Sequence, residues 1–171
     1  VDYKEGDTSC KGYLAYEDAI AGPRPGVLVV PEWWGVTEYA KHRADMLAKL
    51  GYVAFVADMY GDGKMTDDPK EAGKLASAIE KDPQTFRARV TAGLNTLKSE
   101  GQAAGVLAPS QIAAIGYCFG GSAVLELARS GADIAGVVSF HGGLATSAPA
   151  KKGEVKANVP ICTAADDVFV K

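Results

Sequence analysis

Ile115-Gly116-Tyr117-Cys118-Phe119-Gly120-Gly121-Ser122 sets a thiol between glycines at the point where an apolar run passes into a helix-forming one. The spacing is that of the nucleophile elbow G-x-S-x-G, with cysteine in the serine position. A turn this tight forces its central residue into an unfavourable backbone region, and glycine at 116 and 120 keeps side chains from colliding across it. Cys118 then stands at the N-terminus of the following helix, where unpaired N–H groups and the helix dipole favour an anion and are expected to lower the thiol pKa. The N–H of Phe119 faces the place where a tetrahedral oxyanion would form, and a second donor must come from the loop after an earlier strand. The chemistry to expect is acyl transfer through a thiolate.

Positioning such a group requires a strand, a turn and a helix in sequence, and the chain supplies the pattern repeatedly. Val27–Val30, Val53–Ala57, Ile112–Ile115 and Ile134–Phe140 are short apolar runs of the kind buried on both faces of a parallel sheet, and Val159–Cys162 reads as a further one. Gly12–Tyr16 alternates and predicts an outer, antiparallel strand. Between them, Tyr39, Met46, Leu47 and Leu50 share one helical face, expected to be the buried one, with Thr37 as N-cap and Gly51 past the C-terminus. Thr66–Ile79 and Pro83–Leu97 predict a helical region broken near Asp82-Pro83, and Gly121–Arg129 a compact helix ending at Gly131. Strand and helix in alternation predict an α/β fold, and the absence of any linker or repeat predicts one domain over 1–171.

With 18 basic and 21 acidic residues the net charge is −3, and no basic run stands out, which excludes a nucleic-acid or anionic-membrane partner from the expectation. No stretch approaches a membrane span, so a soluble protein is expected, cytoplasmic, or periplasmic if a leader has been removed. Cys10, Cys118 and Cys162 are widely spaced, without the pairing of a metal or redox site, and neither metal nor organic cofactor is expected.

The elbow Gly116-Tyr117-Cys118-Phe119-Gly120-Gly121 resembles the cysteine elbow of the dienelactone hydrolase family, and two further blocks extend the likeness. Pro31-Glu32-Trp33-Trp34-Gly35, after the first buried strand, is similar to that family's oxyanion loop. The resemblance implies that Glu32 contacts the nucleophile and takes the thiol proton once substrate arrives, and that Trp33 supplies the second oxyanion N–H. Trp34 is a candidate pocket wall. Ile161 to Val170 resembles the family's acid turn, with Asp167 at the triad acid, Asp166 as the competing assignment, and Ala164 where the family has glycine. Family members hold a substrate carboxylate with arginines, and Arg87 and Arg89 lie in that region, where a solvated helix face is the other reading.

The fold so implied is an α/β-hydrolase, mostly parallel with helices on both faces, and the activity is hydrolysis of a small-molecule carboxylic ester or a dienelactone-like lactone through an acyl-enzyme. The resemblance places the triad histidine one helix and strand after the acid turn, beyond Lys171, so the chain is expected to match the first two thirds of the fold without its final strand and helices. Two histidines are available. His42 sits between Lys41 and Arg43 on a charged helix face. His141 ends the strand after the elbow helix, where such sheets build their sites, and is the candidate substitute base. The competing reading is a catalytically impaired homologue that binds or scaffolds, predicting acylation without turnover; a redox thiol protein would need a resolving cysteine that the sequence does not place beside Cys118.

Overall fold

The computed structural model describes residues 1–167 and 170. Its elements in chain order are β1 (Asp2–Glu5), β2 (Thr8–Lys11), β3 (Tyr13–Ala15), β4 (Arg24–Val30), α1 (Glu38–Lys49), β5 (Val53–Val56), α2 (Pro69–Glu80), α3 (Pro83–Ala103), β6 (Leu107–Tyr117), α4 (Phe119–Arg129), β7 (Gly136–Phe140) and β8 (Ile161–Cys162). A six-stranded sheet runs β3-β5-β4-β6-β7-β8, with β3 antiparallel to β5 and every other pairing parallel. The valine- and isoleucine-rich runs form its centre because branched side chains pack well on a pleated surface covered on both sides. Along β4, Val27 and Val29 face α1 while Leu28 and Val30 face α3 and α4.

α1 begins as expected, Thr37 accepting a hydrogen bond from the Ala40 N–H, and Gly51 follows the helix at φ 92°. Its buried face differs from the expectation. Ala40, Ala44 and Ala48 meet the sheet, while Tyr39, Met46 and Leu50 are exposed, Leu50 by 74%. Of the four residues of the expected face, Leu47 alone packs against this layer, half-buried, because small alanine side chains let the helix lie close to β4 and β5. The break between α2 and α3 falls at Asp82, whose carboxylate caps α3 by accepting from the Gln84 N–H.

The β1–β2 hairpin was not among the predicted strands. It folds over the end of β5 and is fixed there by Asp58, whose carboxylate accepts from the backbone N–H groups of Lys11, Tyr60, Gly61 and Gly63. Tyr3 donates its hydroxyl to the Asp58 carbonyl and accepts from the Asp58 N–H. Burial, together with the charges of Cys10 and Asp58, pushes the Tyr3 hydroxyl far above its ordinary pKa and keeps it a neutral donor.

Candidate active site

The chain leaves β4 toward β5 on one side and returns through α2 and α3 to β6 on the other, so β4 and β6 are neighbours whose C-terminal ends form a crevice. Val30 pairs with Gly116 there, which puts Pro31 to Gly35 beside the elbow. The two segments touch at Gly120. A Cβ on that residue would come within 2.1 Å of the Val30 carbonyl oxygen, and one on Gly116 within 2.0 Å of the Gly120 carbonyl oxygen, so both glycines are required by close backbone approach.

Cys118 sits at φ 52°, ψ −115°, between the last residue of β6 and the first of α4. Its N–H donates to the Phe140 carbonyl at 2.8 Å, locking the elbow to β7. The Phe119 N–H points at the thiol, and the Phe119 ring is buried between those of Tyr60 and Phe86, at 5.5 and 5.3 Å. Helix-end stabilisation does not win at the sulfur. Burial pushes the Cys118 thiol pKa up, outweighing the Phe119 hydrogen bond, and the charges of Glu32, Glu80 and Asp167 add to the rise. The expectation of a lowered thiol pKa is therefore corrected: burial, with the three carboxylates, holds it above the ordinary thiol value.

Glu32 is half-exposed on the loop after β4, and among the described residues its carboxylate takes no hydrogen bond; it acts on Cys118 through its charge. Trp33 and Trp34 pack edge to face at 5.2 Å, with Trp33 against the core. Among the described residues the Trp33 N–H has no acceptor, while its carbonyl accepts from the Tyr60 hydroxyl at 2.8 Å. Tyr60 thus ties the end of β5 to the loop that carries Trp33. Burial, followed by the Glu80 and Cys118 charges, pushes the Tyr60 hydroxyl well above its ordinary pKa.

His141 and Asp167, 26 positions apart, meet at 2.6 Å between Nε2 and a carboxylate oxygen. Parallel register brings them together: Phe140 pairs with Cys162, and the His141 N–H donates to the Cys162 carbonyl. His141 itself adopts φ 61°. The Val170 N–H donates to the other Asp167 oxygen at 2.8 Å, and Asp166 is exposed. His42 is also exposed.

Neither arginine is spare. Arg89 is buried and binds Glu5 and the Met59 carbonyl, both at 3.3 Å, under the β1–β2 hairpin. Arg87 binds the buried Glu126 at 2.7 Å and the Ala148 carbonyl. Both the solvated face and a free carboxylate clamp give way to internal ion pairs. Glu126 also binds Arg129, at 2.8 Å, and Thr146. Arg129 in turn reaches the Leu144 carbonyl, and the Ser122 hydroxyl accepts from the Gly143 N–H, so the segment after His141 is strapped to α4. Beneath the strap is a cavity of about 490 Å3, lined by Glu80, Phe86, Ser122, Glu126, Arg129 and Thr146 among others. Of the residues that sequence reasoning missed, Tyr60 had a signal, since it follows a buried strand's C-terminal end; Glu80 and Glu126 had none. No group of three or more His, Cys, Asp or Glu is placed to hold a metal ion among the described residues. No helix among them is long and apolar enough to cross a membrane.

Residues 10–171 match the sequence profile of the dienelactone hydrolase family. The chain belongs to that family. It is 31% identical over 150 residues to protein usf of Aquifex pyrophilus, covering 83% of this chain and 60% of the relative. A solved structure named m3DLH superposes with TM-score 0.90 at 37% identity, and that of a dienelactone hydrolase-like promiscuous phosphotriesterase from metagenomic libraries with TM-score 0.89 at 40%. Both alignments cover 100% of this chain and 70% of the other. The dienelactone hydrolase fold, an α/β-hydrolase sheet with helices on both faces, is thus the fold of this chain. It spans 60% of the length of the Aquifex relative.

Proposed function

We propose that the protein hydrolyses carboxylic esters or lactones of the dienelactone class by way of an acyl-enzyme on Cys118. The observation that carries the reading is the conformation of Cys118, held at positive φ on a strand-to-helix turn with the Phe119 N–H beside its sulfur. Substrate would bring its carbonyl to the thiol, Glu32 would accept the thiol proton, and the carbonyl carbon would bond to sulfur. The N–H groups of Phe119 and Trp33 would hold the oxyanion. Collapse would break the C–O bond, the departing oxygen taking the proton held by Glu32; water deprotonated by a histidine oriented through Asp167 would then attack the thioester, and the C–S bond would break to release the acid, with the sulfur recovering a proton from that histidine. Keeping the thiol neutral until substrate arrives suits a site whose surroundings raise its pKa.

Cys118→Ala is expected to lower ester hydrolysis by roughly 1,000-fold or more. A rate within a few-fold of the parent removes the nucleophile from the mechanism. Trapping should give one acyl group per chain by intact mass, on the peptide holding Cys118.

The 2.6 Å contact with Asp167 favours a second reading, in which His141 is itself the deacylating base. It predicts that His141→Ala leaves the acylation burst intact and stops turnover. If His141→Ala turns over like the parent, the base is a different residue. If the chain acylates once and does not turn over, the binding or scaffold reading takes its place.

A further inference from the structure

Trp33 stands between two peptide groups, and each is held by its carbonyl. The Glu32 carbonyl, on the same peptide group as the Trp33 N–H, accepts from the Gly35 N–H at 3.3 Å. Across a trans peptide the Trp33 N–H then points the opposite way, clear of the loop's own turn. The Trp33 carbonyl, on the next peptide group, accepts from the Tyr60 hydroxyl at 2.8 Å, and the Trp34 carbonyl from the Thr66 N–H at 3.2 Å. Of these three tethers the one from Tyr60 is made by a side chain, so it depends on which residue follows β5. Tyr60 is itself firmly seated: it is 7% exposed, and its N–H donates to the Asp58 carboxylate at 3.0 Å. Its ring packs 5.5 Å from that of Phe119, whose N–H faces the thiol. One side chain thus touches both walls of the place where an oxyanion would form, its ring on the elbow and its hydroxyl on the loop after β4. The close approach of Gly120 to the Val30 carbonyl fixes the start of that loop, and Tyr60 fixes the part that carries the Trp33 N–H.

We infer that Tyr60 is a positioning residue for the oxyanion hole: its hydroxyl holds the Trp33 peptide at the spacing from the Phe119 N–H that a tetrahedral oxyanion needs. This role rests on the acyl-enzyme reading, in which those two N–H groups share the oxyanion. Tyr60 moves no proton in it; burial holds its hydroxyl well above the ordinary pKa, so it stays a donor to Trp33 as pH changes. Tyr60→Phe keeps the ring packing and removes only that donor. Misplacing a reacting group by about 1 Å can cost roughly 100-fold, and deleting an oxyanion donor outright costs roughly 100- to 1,000-fold. A Trp33 peptide that has lost one of its tethers should therefore lower the acylation rate constant by roughly 10- to 100-fold. Substrate affinity should hardly move, because the oxyanion develops only in the transition state.

Two reactions of the same thiol separate this role from a general one. With p-nitrophenyl acetate the sulfur bonds to the acetyl carbon, Glu32 takes the thiol proton, and p-nitrophenolate leaves by way of a tetrahedral oxyanion. With iodoacetamide the sulfur bonds to the methylene carbon as iodide leaves, the thiol proton passes to solvent, and no oxyanion forms. First-turnover release of p-nitrophenolate gives the acylation rate constant and the half-saturating ester concentration, and peptide mass spectrometry gives the alkylation rate at Cys118. Tyr60→Phe is expected to lower the acylation rate constant by roughly 10- to 100-fold, by the same factor at each pH, with the other two quantities within about twofold of the parent. Tyr13→Phe removes a hydroxyl bonded to Asp45 from β3, at the edge of the sheet, and should change none of the three. Acylation of Tyr60→Phe within about threefold of the parent overturns the role of Tyr60 and leaves the acyl-enzyme reading standing. A comparable change in alkylation also overturns it, by moving the effect to the thiol or the fold, and so does an equal response to Tyr13→Phe. A parent whose Cys118 is alkylated but never acylated overturns the acyl-enzyme reading, and with it the oxyanion hole that Tyr60 would position.

Discussion

Replacing Glu126 with alanine tests how the cavity wall is held. The carboxylate is 6% exposed and binds two guanidinium groups that are 25% and 19% exposed, so its removal strands two partly buried cations. Breaking a fully buried pair costs about 3–5 kcal/mol. Here water reaches both arginines, and each keeps a backbone carbonyl, Ala148 for Arg87 and Leu144 for Arg129, which brings the expected loss to about 2–3 kcal/mol. For a chain of this size that is a fall in Tm of roughly 5–10 °C. Burial acts to raise the Glu126 pKa and is the largest single influence, but hydrogen bonds from Thr146, Arg129 and Arg87 together outweigh it and leave the carboxyl below its ordinary value. A depressed folded pKa contributes stability above the unfolded value and loses it as pH falls through the folded one. The gap between parent and variant should therefore be full at neutral pH, narrow below the ordinary glutamate value of 4.5, and close once the folded carboxyl is protonated. Thermal and urea unfolding across that range reads the gap, and hydrogen exchange at Gly143 to Ala148 reads the strap. A Tm change under about 2 °C at neutral pH, or a gap that does not vary with pH, would refute the reasoning.

Three other perturbations follow from the same contacts. Gly116→Ala is expected to abolish acylation of Cys118, because its Cβ would meet the Gly120 carbonyl oxygen at 2.0 Å and neither backbone can give way; labelling of Cys118 by a neutral ester reports it. Asp58→Asn leaves too few acceptors for the N–H groups of Lys11, Tyr60, Gly61 and Gly63, and should cost about 2–3 kcal/mol by urea denaturation. Ala44→Leu, at a fully buried position under the sheet, should cost about 1–3 kcal/mol by overpacking, whereas Leu50→Ala on the outer face should stay within about 0.5 kcal/mol in the same assay.

Much of the sheet was legible because buried parallel strands leave near-continuous apolar runs, and the elbow was legible because only glycine satisfies two backbone approaches at fixed spacing. The β1–β2 hairpin was not, since its residues alternate weakly and its anchor, Asp58, lies far along the chain. α1 misled for a specific reason: helical periodicity marks large apolar residues, while close contact with a sheet selects small ones, and Ala40, Ala44 and Ala48 weigh little in such a pattern. Long-range polar pairs left no trace at all. That Asp167 meets His141 depends on the β7–β8 register, and that Arg87 meets Glu126 depends on α3 lying against α4. The thiol pKa went the other way because burial and three carboxylates gather at Cys118 only after folding.

Cys118 and His141 lie side by side at the ends of neighbouring strands, and both hold positive φ without being glycine. Each such residue costs on the order of 1–3 kcal/mol that the rest of the fold must supply. Both side chains are therefore set in place by folding itself, before any ligand arrives, and the cost is borne continuously. Exchange for glycine at either position would release it. Under the acyl-enzyme reading the same two exchanges would remove the proposed nucleophile and the candidate base, so a gain in an unfolding assay should accompany a loss in a turnover assay.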